Sequence, residues 1–156
     1  MQSVVRERSI PEVMRALAAM DSPDSMSLFT TETGDAAGHT PEEWARAIVE
    51  GVPATGRFFV WRGICGLRLA SRPSRNHIAG WKIAGREDNW IRIEAASWFM
   101  TAHIVFRVDE PQVSFATFVR YDRQPAAVVW PTVALVHHRA IPGLLRGAVR
   151  KLSRRR

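Results

Sequence analysis

The sequence predicts an α+β fold. An antiparallel sheet wraps around a long C-terminal helix, two shorter helices follow the first strand, and an extra helix precedes that strand. Three observations carry this prediction. Residues 125–153 repeat apolar side chains at three- and four-residue steps, the period of one helix face. Residues 78–121 show strand-like alternation over four stretches parted by short turns, as an antiparallel meander does. Residues 40–51 carry a full set of helix end signals: Thr40 as N-cap, Pro41 as the first helical residue, Glu43 closing a capping box, and Gly51 just past the end.

In chain order, residues 3–8 read as an edge strand or a disordered arm. Ser9 and Glu12 have capping-box spacing, Pro11 suits a first turn, and Val13, Met14, Leu17 and Met20 give a modest apolar face. Asp21-Ser22-Pro23-Asp24 ends that helix. Residues 26–33 read as a strand and 34–39 as a loop. Behind the helix at 40–51, which buries Trp44, Ala47 and Ile48, a second helix is expected over 55–65. Phe58, Trp61, Ile64 and Cys65 would line one side of it, and Gly66 would stop it. After a polar loop at 68–76, strands are expected at 78–85, 90–96, 99–108 and 112–121. On the closing helix the expected inward stripe is Val129, Val133, Val136, Ala140, Leu144 and Ala148. Pro131 and Pro142 project from the opposite side, where each removes an N–H and bends the helix; a break at Ile141-Pro142 would instead leave two helices.

The 156 residues fit one domain, with 1–23 as an N-terminal extension and 154–156 as a basic tail. No run has the length of a membrane span, and the N-terminus has charge where a signal peptide needs an apolar stretch, so a cytoplasmic location is expected. The single cysteine, Cys65, rules out an internal disulfide. The net charge is +7, and Arg146, Arg150, Lys151, Arg154, Arg155 and Arg156 crowd the end of the chain. That end suits nucleic acid, an anionic membrane or an acidic partner, or simply a solvated helix terminus whose cations complement the macrodipole.

Sorting each strand by alternation separates two faces. One is nearly all apolar and should meet the closing helix. The other carries Arg92, Glu94, His103, Arg107 and Arg120, residue types suited to acid–base chemistry but explained as well by cross-strand charge pairing on an outer face. His137 and His138 are adjacent on a helix and point about 100° apart, so they cannot easily share a metal. No spacing resembles a zinc site, and no phosphate loop, dinucleotide fingerprint or nucleophile elbow is present. No cofactor, metal or catalytic residue is therefore assigned.

The element order resembles the helix-grip fold of the START/polyketide-cyclase-like (SRPBCC) superfamily. Thr40-Pro41-Glu42-Glu43-Trp44-Ala45-Arg46-Ala47 resembles the first-helix pattern of an uncharacterised bacterial family, domain of unknown function 2867. His138-Arg139, Ile141-Pro142 and Leu144-Leu145-Arg146 resemble its closing helix, and Pro131 departs from the pattern. The resemblance covers about residues 24–153. It implies a fold and an apolar cavity, and it carries no catalytic residues to transfer. The residues themselves place Trp81, Ile91, Ile93, Met100, Ala102, Ile104, Phe115, Thr117, Val119 and Tyr121 on the inner face, opposite Val133, Val136, Ala140 and Leu144. Thr117, Tyr121 and His137 are the polar groups able to orient a ligand there. The expected function is binding of an apolar small molecule or lipid. The alternatives are a cyclase- or dehydratase-like enzyme in the same cavity, polyanion binding through the tail, or an interior that is only a packed core.

Overall fold

The computed structural model describes residues 3–34 and 36–154. Met1, Gln2, Asp35 of the expected loop, and Arg155 and Arg156 of the basic tail lie outside the described residues. The chain is α+β. Its strands are β1 (Val4–Glu7), β2 (Ser25–Glu32), β3 (His77–Ile78), β4 (Trp81–Glu87), β5 (Trp90–Ala96), β6 (Met100–Asp109) and β7 (Gln112–Tyr121). They form one seven-stranded antiparallel sheet in the order β1-β2-β7-β6-β5-β4-β3. The helices are α1 (Glu12–Ala18), α2 (Pro41–Val49), α3 (Ala54–Gly56), which continues as a π-helix over Arg57–Ile64, and α4 (Pro125–Ser153).

Local chemistry explains most of these boundaries. The capping box of α2 is formed: Thr40 Oγ1 accepts from the Glu43 N–H at 3.1 Å, and Glu43 Oε1 accepts from the Thr40 N–H at 2.9 Å. The Thr40 backbone bond, with Thr40 Oγ1 and His39 adding to it, holds the Glu43 carboxyl below its ordinary range against the opposing effect of burial. At α1 the sequence reading is corrected. The helix starts at Glu12, with Pro11 extended at the N-cap and no side-chain cap from Ser9. The expected strand at 78–85 is a hairpin instead: Ile78 pairs with Trp81 across Ala79 and Gly80, which have φ of 49° and 93°. Two consecutive positive φ values make a tight, twisted hairpin turn. A Cβ on Gly80 would lie 2.8 Å from Leu69 Cβ, so only glycine fits there.

The inner face of the sheet is apolar as sorted. Ile91, Ile93, Met100, Ala102, Ile104, Phe106, Phe115 and Val119 are all buried in the main core with α2 and α4. The outer face differs from expectation. Helix α1 lies across it, and Met14, Ala18, Met20, Leu28, Val105, Ala116 and Phe118 form a second core. The polar residues of that face secure α1. His103 Nδ1 lies 2.7 Å from the Ala18 carbonyl, and Arg92 Nη1 donates to the Leu17 carbonyl at 2.8 Å. Both partners are carbonyls of the last turn of α1, which lack intrahelical donors and carry the negative end of the dipole. Glu94 pairs with Arg92 at 2.9 Å and lies 3.6 Å from His103 Nε2. These residues do structural work at a helix end.

Helix α4 runs unbroken through Pro131 and Pro142. Its buried residues are Ala126, Trp130, Val133, Ala134, Ile141, Leu145, Ala148, Val149 and Leu152, so the packed stripe is rotated by about one residue, or about 100°, from the one expected. The prolines therefore flank the packed stripe rather than oppose it. Gly143 and Gly147 have nothing within 4 Å of an added Cβ, so these small residues face open space. Gly143→Ala and Gly147→Ala should each stabilise the protein by about 0.5–1 kcal/mol through helix propensity alone. Urea unfolding of each variant checks this, and a loss of stability would place the glycines against a packed surface.

Candidate functional site

A cavity of about 210 Å³ lies between α4, α2, the π-helix and the inner face of the sheet. Strands contribute Trp81, Met100, Ala102, Ile104, Phe115 and Thr117, and α4 contributes Trp130, Val133, Val136, His137, Ala140 and Leu144. The sequence-derived set is thus largely brought together. Ile91, Ile93, Val119 and Tyr121 are not: the first three are buried in core packing away from the cavity. Tyr121 is half-buried near the end of β7, where its backbone N–H donates to Asp24 and where burial, with the Asp24 charge, raises its phenol pKa.

The cavity explains the rotated stripe of α4. Val136 is 60% exposed and Ala140 is also exposed, yet both line the cavity, so they stand at its mouth. The helix has two apolar faces, one packed and one turned to the cavity.

Sequence reasoning missed the wall opposite α4: Ile48, Val49, Val52 and Pro53 from the end of α2, then Gly56, Val60, Trp61, Cys65 and Leu67. An ordinary helix over 55–65 would put Phe58, Trp61, Ile64 and Cys65 on one side. In the π-helix the Cys65 N–H donates to the Val60 carbonyl at 2.9 Å, five residues back, so side chains five apart align instead. Val60 thereby joins Trp61 and Cys65 at the cavity, while Phe58, expected beside them, and Phe59 point to solvent, each 63% exposed. Gly56 and Gly63 were the only sequence signals of irregular winding.

Thr117 and His137 are the polar centre of the wall. Thr117 Oγ1 and His137 Nε2 share a hydrogen bond at 3.1 Å. The imidazole packs against Phe115 at 6.2 Å and Trp130 at 5.4 Å, centroid to centroid. Desolvation, helped by neighbouring His138, pushes the His137 pKa down to about 3, so the ring is neutral at ordinary pH. Burial likewise pushes the Cys65 thiol up to about 11, which leaves it a packing group without thiolate character. The indole N–H of Trp130 donates to Ser25 Oγ at 3.0 Å, whereas that of Trp81 is buried with no acceptor among the described residues.

Among the described residues, no Asp, Glu, Lys or Arg lines the cavity. Among the described residues, no group of three or more His, Cys, Asp or Glu side chains is placed to hold a metal ion, and no helix is long and apolar enough to cross a membrane. Compared with protein-family models and with curated proteins, the sequence matches none.

Proposed function

We propose that this protein binds an apolar small molecule in the cavity beneath α4, and that its α+β architecture is the helix-grip arrangement of START/polyketide-cyclase-like proteins. The observation that carries the reading is the cavity itself, whose described lining is apolar and aromatic but for Thr117, His137 and Cys65, with a mouth beside Val136 and Ala140. An apolar guest gains about 25 cal/mol per Å² of apolar surface it buries, less the cost of its immobilisation. The site has no features of an acid–base enzyme. A histidine whose pKa burial pushes far below neutral, paired with a hydroxyl and with no carboxylate among the described residues lining its cavity, suits hydrogen bonding better than proton transfer.

Naphthalene tests the reading, followed through the emission of the wall tryptophans Trp61, Trp81 and Trp130. The wild type should show saturable binding. Ala140→Trp, which places an indole at the mouth, should weaken binding by about tenfold or more while changing stability by under about 1 kcal/mol. If the wild type shows no saturable binding and Ala140→Trp costs several kcal/mol, the interior is only a core and the proposal is wrong.

A further inference from the structure

We infer that the cavity selects an uncharged molecule of about ten heavy atoms that carries a hydroxyl group, and rejects carboxylates of the same shape; this rests on the cavity's being a binding site. Size comes first. An apolar cavity of about 150 Å³ accommodates benzene. A cavity of about 210 Å³ therefore suits a guest somewhat larger, such as a fused bicyclic ring or a branched hydrocarbon of similar bulk.

Charge comes next. A carboxylate entering the cavity would leave water and meet no cation of the described residues, because no Lys or Arg among them lines the wall and His137 is neutral. An unpaired buried charge is the most costly group to desolvate. Hydrogen bonding then favours a hydroxyl over a bare hydrocarbon. The Thr117 hydroxyl has one donor and two acceptor sites, and its bond to His137 uses only one of these. If Thr117 donates to His137, what remains on its oxygen is acceptor capacity; if His137 donates to Thr117, a donor remains. A guest hydroxyl satisfies either case, since it both donates and accepts. The Trp81 indole N–H adds a buried donor that lacks an acceptor among the described residues.

The test is a matched series on the wild-type protein at neutral pH: 2-naphthol, naphthalene and 2-naphthoate. Naphthol should bind about threefold to tenfold tighter than naphthalene, as one extra hydrogen bond allows. Naphthoate should bind at least about a hundredfold more weakly than naphthol, because its charge is buried unpaired. Thr117→Val should abolish the advantage of naphthol over naphthalene and leave naphthalene binding in place. Thr117→Ser, which keeps the hydroxyl, should retain it. Naphthoate binding as tightly as naphthol, or a naphthol advantage that survives Thr117→Val, overturns this inference and leaves the binding cavity standing. If none of the three compounds binds, the cavity is not a ligand site, and both readings fall together. Should Thr117→Val not fold, the wild-type series and Thr117→Ser decide.

Discussion

Leu145→Ala should destabilise the protein by about 2–5 kcal/mol, whereas Val136→Ala should change stability by no more than about 0.5 kcal/mol. The two residues lie on the same helix and are of similar apolar character. Leu145 is fully buried in the main core, on the packed face of α4. Val136 stands at the mouth of the cavity, largely in solvent, and has few neighbours to lose. Truncating Leu145 removes its burial and leaves a void that the sheet and α2 cannot close, which is why the cost exceeds simple transfer. Urea unfolding of both variants measures the difference. Equal costs, or a larger cost at Val136, would mean that α4 is rotated back toward the stripe with Val136 and Ala140 inward.

Stability should also fall as the pH drops below neutral, well before the carboxylates titrate. An unfolded histidine takes up its proton near pH 6.5, but His137 in the fold does so only at about pH 3. Between those values the unfolded state binds more protons than the folded one. Stability is therefore fully present above pH 6.5 and is lost toward pH 3, at up to about 1.4 kcal/mol per pH unit. His138 acts in the same direction, its pKa lowered by burial and by the nearby charge of Arg6. Glu43 and Asp122, whose pKa values are lowered from 4.5 and 3.8, lose their contributions only below those values. Between about pH 4.5 and 6.5, His137 and His138 therefore give stability that rises with pH. His137→Gln should flatten that rise. A slope unchanged by His137→Gln would show that His137 is open to water.

Much of the architecture was legible because it rests on local rules. The capping box at Thr40, the alternation along β5, β6 and β7, and the long period of α4 each follow from neighbours in the sequence. What was not legible rests on tertiary choices. Helix α4 is apolar on more than one side, so periodicity alone could not say which face packs and which lines a void. The turn at Ala79-Gly80 has a residue with no turn preference in its first position, so the hairpin hid inside a strand. The outer sheet face looked solvated because His103, Arg92 and Glu94 are polar. They are there to receive the end of α1, and no local pattern announces a helix arriving from elsewhere in the chain. The π-winding over Arg57–Ile64 changes which residues share a face and brings Val60 to the cavity, while Ile48, Val49, Val52, Pro53 and Gly56 went unseen because the path of the chain after α2 is a tertiary matter.

The sheet order carries one more consequence. Its two longest strands, β6 and β7, lie inside it, and its margins are formed by β1, with four residues, and by β3, with two, beyond which β4 continues through Glu87. Unpaired strand margins are templates on which a second chain can grow, and such growth needs length and flatness. Here one margin is a two-residue stub beside a sharp turn, and the other carries Arg6 and Glu7. A protein that keeps a cavity in its interior gives up some of its packing to do so. Here the short outer strands and the charges of Arg6, Glu7, Arg86 and Glu87 along the two margins work against cross-β growth.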